Sequence, residues 1–490
     1  MRFTSNQSAS LVLIGTLATS QLACSAIVSP DPSRLGLGED ANSVALDASA
    51  PDAFVPEGTD ANFPDAFTET PDAYVPPGVD AFSPDAFVVV PDAFIPDTGC
   101  VAGSDRCMGT TLTRCVDGRV VTSTCMLGCA EAEARCRVMV PSNVEPTLLS
   151  EGTMDIVLTS AMLNTSECRR VVTQLGGGRA CLLVARNIII PASSTVRVTG
   201  TLPVIILASG TVTIDGVLDL SAEGSTPGPG GYLGAPVTTG NASVRGPQRG
   251  NNGMSAGVFL DSGGGGGGHC GSGGAGGGAD TVVGGSGGTG IATTLEPLST
   301  GSGGGFGQGG LRRVSSDVTP GGAGGGAIQI SSAVSISISG RIDVGGGGGQ
   351  GGRNNMNWGA GGGGGAGGGI LLEAPVLTLE DGAELLATGG GGGAGRDGSS
   401  APAGQDGRRL AGPAAGGIPT GLRSADGGDS GGGAVPDGMD GETNTAGDGN
   451  GGGGGGGVGC IVLRALVPSA PGGTLSPSDV GLQSLPLLVR

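Results

Sequence analysis

One histidine and one serine have the residue types needed for nucleophilic catalysis. His269 is the only histidine of the chain, and Ser430 lies in the string Gly-Asp-Ser-Gly-Gly at 428–432. A histidine that takes the proton of a serine hydroxyl makes its oxygen a nucleophile for acyl transfer. Gly-Gly-Ser-Gly-Gly at 284–288 shows, however, that similar strings arise here from composition alone.

The serine string, together with the pair His269-Cys270, resembles the motifs of chymotrypsin-like serine proteases. The resemblance implies His269 as the base and Ser430 as the nucleophile. Both residues lie in glycine tracts, without the flanking hydrophobic strands that build a barrel around such a triad. We therefore expect no catalytic residue here, and we expect that the protein is not an enzyme.

A second candidate for chemistry is a row of charged residues on β-rich segments. Asp215 and Asp219 fall in one such segment, and Arg341 and Asp343 fall in another. Bacterial β-helix enzymes, the polysaccharide lyases and hydrolases, have acidic or basic residues along one outer face, and these four residues resemble such a row. A carbohydrate-active β-helix enzyme is therefore the alternative function, while turn and surface roles are the favoured interpretation.

Metal sites and cofactors are not expected. Residues 392–397 resemble the opening of a calcium-binding RTX nonapeptide, but Ser399 stands where an apolar residue belongs and no tandem copy follows. A zinc site would need ligands such as histidine or a CxxC pair, and the cysteine-rich segment 100–137 has neither.

The eleven cysteines indicate an oxidising compartment. Residue 24 would carry lipid, and the other ten would form five disulfides, with Cys270 and Cys460 as one candidate pair. Six cysteines allow fifteen pairings within 100–137, and sequence does not choose among them. The ten expected disulfide cysteines are Cys100, Cys107, Cys115, Cys125, Cys129, Cys136, Cys168, Cys181, Cys270 and Cys460.

The first 24 residues have the layout of a secretory signal. Arg2 is followed by an apolar run at 11–18 and by Leu22-Ala23-Cys24, which resembles the end of a bacterial lipobox. Lipidation of Cys24 and ordinary cleavage, for instance after Ser20, both remain open. No later stretch has the 18 or more apolar residues of a spanning helix. A membrane contact is thus expected through the N-terminal lipid.

Residues 25–99 predict an extended, disordered, acidic linker. They hold eleven Asp and three Glu against one Arg, and Pro-Asp-Ala-Phe or a close variant recurs. Regular prolines block helix and sheet, and charges of one sign repel along the chain. Such a spacer between a lipid-type signal and a cysteine cluster resembles those of myxobacterial surface lipoproteins. The chain has no lysine and no basic stripe, so nucleic-acid binding is not expected.

After a connecting segment at 138–180, residues 181–490 predict a mainly β body. Short β-branched alternations at 187–204, 204–223, 327–344, 369–388 and 459–466 have the size of coils of a β-helix or related solenoid. Glycine-rich insertions separate them at about 223–326, 345–368 and 389–458. Two interpretations of the insertions remain open: packed polyglycine-type helices, or flexible loops.

These observations together predict an exported surface protein of the outer membrane, or otherwise a secreted one. Glycine makes up 107 of 490 residues and only twelve are aromatic, so one deep globular core is not expected. The expected role is structural, adhesive or binding and not catalytic. The expected ligand is a surface, matrix or polysaccharide component that the sequence does not identify.

Overall fold

The computed structural model describes residues 99–235, 245–256, 260–309, 318–352, 358–397, 401–421, 423–445, 449–468 and 472–490. Cys24 and all of the predicted linker except Gly99 lie outside these ranges. Strand is the main regular structure, at 32%, with almost no helix. The described 3-10 helices are Glu131–Glu133, Pro146–Glu151 and Thr165–Glu167.

A small disulfide-rich module comes first in the described chain. Its antiparallel strands are β1 (Arg106–Met108), β2 (Thr111–Val116), β3 (Arg119–Thr124), β4 (Cys129–Ala130) and β5 (Arg135–Cys136). Of the pairings that the sequence leaves open, the structure has Cys100–Cys115, Cys107–Cys129 and Cys125–Cys136. The buried cluster of this module combines Leu112 with three of these cysteines. So small an apolar core leaves stabilisation to the covalent links.

Three ladders of parallel strands form the body. The first contains β9 (Arg179–Ala185), β12 (Val204–Ala208), β15 (Ala327–Ser332), β19 (Gly369–Leu379), β22 (Cys460–Pro468) and β24 (Leu482–Pro486), with β8 (Val171–Thr173) antiparallel at its edge. The second contains β6 (Ile156–Val157), β10 (Ile188–Ile190), β13 (Thr211–Ile214), β16 (Ser335–Ile338) and the second half of β19. The third contains β7 (Ala161–Asn164), β11 (Thr195–Thr199), β14 (Val217–Asp219), β17 (Arg341–Asp343), β20 (Glu384–Leu386) and β23 (Thr474–Ser476).

From β9 onward the chain passes through the first, second and third ladders in turn and then returns to the first. The first two ladders belong to one sheet, which curls into a half-barrel. The ladders also extend into 138–180, the expected connecting segment, because Ile156 pairs with Ile188 and Ala161 with Val196. Strands as short as β6 carry too few residues to show a period of two. A separate antiparallel pair joins β18 (Trp358–Gly359) to β21 (Arg396–Asp397).

Register places equivalent apolar side chains above one another. Val204 pairs with Ile328, Ile328 with Ile370, and Ile370 with Ile461, and all four are buried in one core cluster. Burying such a side chain fully contributes about 1.5–3 kcal/mol. Repeated columns of Ile, Val and Leu therefore build a narrow core without aromatic residues.

The first ladder is covered on both faces. Ile205 and Leu371 point away from the column core and pack in a second cluster with Met139, Leu149 and Leu298. This double burial explains why Val204–Ala208 is apolar throughout, whereas Thr211–Ile214 in the second ladder alternates between half-buried and buried positions.

The glycine-rich insertions are ordered wherever the structure describes them. We call the described residues of 224–326, 344–368 and 387–459 the glycine array. The insertions leave the body after strands of the third ladder and return at strands of the first. Backbone hydrogen bonds join all three insertions to one another: Gly264 donates to Gly361, Gly454 donates to Gly264, and Gly393 donates to Gly362. Of the two interpretations left open by the sequence, these residues fit packed extended segments.

Hydrogen bonding in the array repeats every three residues. Gly451, Gly454 and Gly457 donate to one neighbouring segment, at the carbonyl oxygens of Asp261, Gly264 and Gly267. The intervening residues donate to two other segments in the same rotation: Gly452 to Glu442, Gly455 to Met439, Gly453 to Gly393 and Gly456 to Gly390. An extended helix with three residues per turn presents its amides in this way, as polyproline II and collagen chains do.

Close backbone approach makes glycine necessary in this arrangement. A Cβ added at Gly453 would lie 2.0 Å from the carbonyl oxygen of Gly362, and one added at Gly363 would lie 2.1 Å from that of Gly265. Ordering glycine costs conformational entropy and buries no side chain. In central tracts such as 451–457, every amide donates to a carbonyl of a neighbouring segment, and this pairing is the compensating interaction.

Two further disulfides lie in the body, at Cys168–Cys181 and Cys270–Cys460. The second is the candidate pair named from the sequence, and it connects residues 190 positions apart. All ten cysteines of the described residues are thus in disulfides, which indicates an exported protein. Within the described ranges, no helix has the length and apolar character to cross a membrane.

Candidate functional site

The predicted row of charged residues is mostly buried and internally paired. Asp219 and Asp343 are register partners on β14 and β17, and each is 1% exposed. Asp219 accepts hydrogen bonds from Arg197 and from Arg408, the latter at 2.8 Å. Asp343 accepts from the backbone N–H groups of Gly345 at 3.0 Å and Arg409 at 2.6 Å. Neither carboxylate is presented to a polysaccharide chain.

The other two members of the row also have partners. Arg341 forms an ion pair with Glu384 on the adjacent strand. Asp215 is exposed and accepts a hydrogen bond of 2.6 Å from Ser339. Asp219, Arg341 and Asp343 therefore lie on the adjacent strands β14 and β17, Asp215 lies between β13 and β14, and the four residues have separate local partners.

The pKa values of the two buried carboxyl groups are shifted in opposite directions. Burial raises the pKa of Asp343 to about 6, against backbone hydrogen bonds from Gly345 and Arg409. Burial also acts to raise the pKa of Asp219, but the Ser221 hydrogen bonds and the charges of Arg197 and Arg408 outweigh it and lower that pKa. Opposite pKa shifts are expected in a structural ion network in which one carboxylate, here that of Asp219, pairs with the arginines.

Residues 406–409 fasten the third insertion to the rest of the body. Besides the contacts of Arg408 and Arg409, the Asp406 carboxylate accepts from the N–H groups of Gly224 at 2.9 Å and Gly348 at 2.7 Å. One short segment thus ties together parts of all three insertions, so the charged residues near it stabilise the array.

Replacing Arg408 with glutamine should lower the free energy of unfolding by about 2 kcal/mol, the scale of a hydrogen bond to a charged group. Asp219 would keep Arg197 and Ser221, which limits the loss. Arg169→Gln is the matched control, because Arg169 is exposed and its side chain has no hydrogen bond or ion pair to the described residues. Urea unfolding measures both variants. Equal midpoints for the two would contradict a fastening role for Arg408.

Ser430 and His269, the protease-like pair, do not form a dyad. The Ser430 hydroxyl is fully buried, accepts from the N–H of Ala414 at 2.8 Å and donates to the carbonyl oxygen of Gly431 at 3.0 Å. His269 instead lies 2.9 Å from the hydroxyl of Ser299, measured from Nε2 to Oγ. No sequence motif points to Ser299, which is a single serine in a loop.

Ser299 and His269 line a cleft of about 600 Å³. His269 is 2% exposed and Ser299 is half-buried, so the serine is the more accessible of the two. Apolar side chains and proline rings form part of the walls, and polar groups come from Gln174, Arg179, Gln248 and Thr300. The apolar lining includes Pro203, Tyr232, Pro247, Ile291 and Pro297.

The imidazole of His269 is held in one orientation. Its Nδ1 lies 3.0 Å from the carbonyl oxygen of Gly367 in the glycine array. Burial lowers the pKa of His269 to about 4, although backbone contacts with Gly367 and Gly368 act against the shift. The ring is therefore neutral at pH 7, and the carbonyl fixes its proton on Nδ1.

Metal binding finds little support among the described residues. The sulfur atoms of Cys107, Cys125 and Cys129 lie within 4.8 Å of one another, yet each belongs to a disulfide and offers no thiolate. In the RTX-like string, the N–H groups of Gly392 and Gly393 bind carbonyls of the array. Ser399 lies outside the described residues.

Comparison with known proteins gives no relative from which a function could be transferred. No protein-family model, no curated protein and no solved structure matches the chain.

Proposed function

We propose that the chain is an exported cell-envelope or surface protein with a structural, adhesive or binding role. In this proposal Cys24 carries the lipid anchor, and the linker 25–99 holds the body away from the membrane. The five disulfides support export, and the signal-like N-terminus supports the anchor. The resemblance of the linker and cysteine module to myxobacterial surface lipoproteins is part of the same proposal.

The observation that carries the proposal is the continuity of the glycine array with the strands. Three insertions far apart in sequence bind one another through their backbones, and Cys270–Cys460 closes them against the first ladder. A body built in this way resists deformation, because its segments are held to one another along their length. The chain passes through the three in-register parallel ladders in rotation. This order supports a β-solenoid-like stack as the framework of the body.

The burial of the predicted row of charged residues favours this role over that of a carbohydrate-active enzyme. A lyase or glycosidase needs carboxylates or arginines that reach the substrate. Asp219 and Asp343 are instead each 1% exposed, and they accept hydrogen bonds from arginine side chains and backbone N–H groups. We therefore expect retention of a surface, matrix or polysaccharide ligand without cleavage of its glycosidic bonds.

The anchor is tested by detergent partitioning of the full chain produced in a bacterial host that processes lipoproteins. The wild-type protein should enter the detergent phase, and Cys24→Ala should move to the aqueous phase because it cannot carry the lipid. Ser25→Ala, at the next position, should partition like the wild type. A Cys24→Ala protein that stays in the detergent phase rules out this anchor.

The binding role is tested with the same protein by co-sedimentation with insoluble bacterial polysaccharide. We expect retention in the pellet and no new reducing ends in the supernatant. Release of oligosaccharides that disappears in Asp219→Asn would instead support the carbohydrate-active alternative.

A further inference from the structure

The cleft that contains Ser299 has the groups needed for nucleophilic chemistry, and it is separate from the surface role proposed above. A carbonyl oxygen only accepts hydrogen bonds, so the contact of His269 Nδ1 with Gly367 leaves Nε2 with its lone pair. That lone pair faces Ser299 Oγ at 2.9 Å. The nucleophile, the base and the group that orients the base are thus connected by consecutive hydrogen bonds. A backbone carbonyl occupies the place where many hydrolases have a carboxylate.

The loop that carries Ser299 is fixed on both sides. The N–H of Leu298 donates to Gln174 at 2.8 Å, and the hydroxyl of Thr300 donates to the carbonyl oxygen of Gly230 at 3.0 Å. Among the described residues, no acceptor binds the backbone N–H groups of Ser299 and Thr300. Two free N–H groups beside the hydroxyl are suitable donors for an oxyanion.

The walls of the cleft define the kind of substrate. Proline rings, Tyr232 and Ile291 provide apolar surface for an acyl or alkyl group. Arg179 lines the same cleft and has no ion-pair partner among the described residues. Apart from Arg179, the ionisable side chains on the described walls are Tyr232 and His269. The nearby Glu296 is paired with Arg464.

We propose that Ser299 is an acyl-accepting nucleophile, that His269 is its general base, and that the cleft takes a small carboxylic ester with a negative charge near Arg179. Ser299 Oγ bonds to the carbonyl carbon as its proton passes to His269 Nε2. The ester C–O bond then breaks, and the leaving alkoxide takes that proton and departs as the alcohol. Water attacks the acyl-serine by the same route, which releases the acid and restores Ser299.

The chemistry should be slow, because no carboxylate of the described cleft walls stabilises the imidazolium that forms in a buried site. Its pH dependence should also be unusual. His269 accepts a proton only when neutral, so reactivity should be constant from pH 8 to about 5 and should halve near pH 4, where His269 becomes protonated. An ordinary histidine would give the same decrease near pH 6.5.

Labelling of the full-length disulfide-bonded protein with a fluorophosphonate tests the nucleophile. Peptide mapping should place one adduct on Ser299, and Ser299→Ala should remove it while leaving the circular dichroism unchanged. Ser225→Ala, an exposed serine outside the cleft, should label like the wild type. Folded His269→Gln should label at least about 100-fold more slowly. Folded wild-type protein without an adduct on Ser299 at pH 7 overturns the proposal, as does a labelling rate that halves at pH 6 or above.

The substrate class is tested with two p-nitrophenyl esters, the neutral acetate and the negatively charged hemisuccinate. Arg179→Gln should lower kcat/KM for the hemisuccinate about tenfold, the effect of losing one charge interaction of about 1.4 kcal/mol, and leave that for the acetate unchanged. Equal effects on both esters would refute the charged-substrate part. Failure of either test leaves the anchor and binding experiments unaffected, because those measure partitioning and retention.

Discussion

Replacing Gly453 with alanine should destabilise the protein by about 3 kcal/mol or more, at or beyond the upper range for overpacked cores. The new Cβ would lie 2.0 Å from the carbonyl oxygen and 2.4 Å from the carbonyl carbon of Gly362. Both atoms belong to the backbone of another insertion, which is hydrogen-bonded on its other sides and cannot move away cheaply. Chemical unfolding followed by circular dichroism measures the loss.

Gly412→Ala is the matched control. Gly412 lies in the same insertion, and a Cβ added there meets nothing within 4 Å. Alanine also lowers the conformational entropy of the unfolded chain, so this variant should be neutral or more stable by up to about 1 kcal/mol. Opposite signs for the two substitutions identify dense packing as the cause. If Gly453→Ala unfolds at the same denaturant concentration as Gly412→Ala, the array is not close-packed.

Removing the Cys270–Cys460 disulfide should cost about 5 kcal/mol in the chain-entropy model, because it closes a loop of 190 residues. Both cysteines are replaced with alanine, which leaves no free thiol. Without the link, the unfolded chain gains the freedom of all three insertions, and ordering glycine on folding is especially costly. Urea unfolding of the oxidised proteins measures the difference.

The double variant Cys168→Ala/Cys181→Ala provides the comparison. Its disulfide spans 13 residues, for which the same model gives about 3 kcal/mol. The long-range variant should therefore lose more stability than the short-range one. The reverse order would show that the glycine array stays together without its covalent closure.

The strands of the body could be predicted because their side chains carry a pattern. Thr211–Ile214 alternates between half-buried and buried positions, and Val204–Ala208 is apolar because two cores cover it. The two residues of β6 carry no such pattern and take their structure from pairing with Ile188 and Ile189.

The order of the glycine tracts could not be decided from the sequence for a physical reason. A tract such as 451–457 has no side chains that would specify a neighbour, so nothing in it distinguishes Gly393 from Gly264 as the acceptor of a given amide. The partners follow from where the strands and the Cys270–Cys460 disulfide hold the ends of each insertion. Flexible and packed glycine tracts therefore have the same local sequence.

The candidate site could not be predicted from sequence motifs. The string around Ser430 matches a catalytic motif, yet its hydroxyl binds Ala414 and Gly431. Ser299 has no motif, but the tertiary structure brings it to His269, 30 positions away in the chain. In a sequence rich in Gly and Ser, short matches carry little information, and only the fold selects the serine that meets the histidine.

The threefold repeat of hydrogen bonding also determines how such a protein could change in size. Inserting three residues into a tract adds one full turn, after which every amide faces the segment it faced before. Inserting one residue rotates the remainder by roughly 120° and directs each amide to a wrong neighbour. Neutral length variation in the array should therefore occur in steps of nine nucleotides, so that a gene of this kind can lengthen or shorten the body without new side chains to repack.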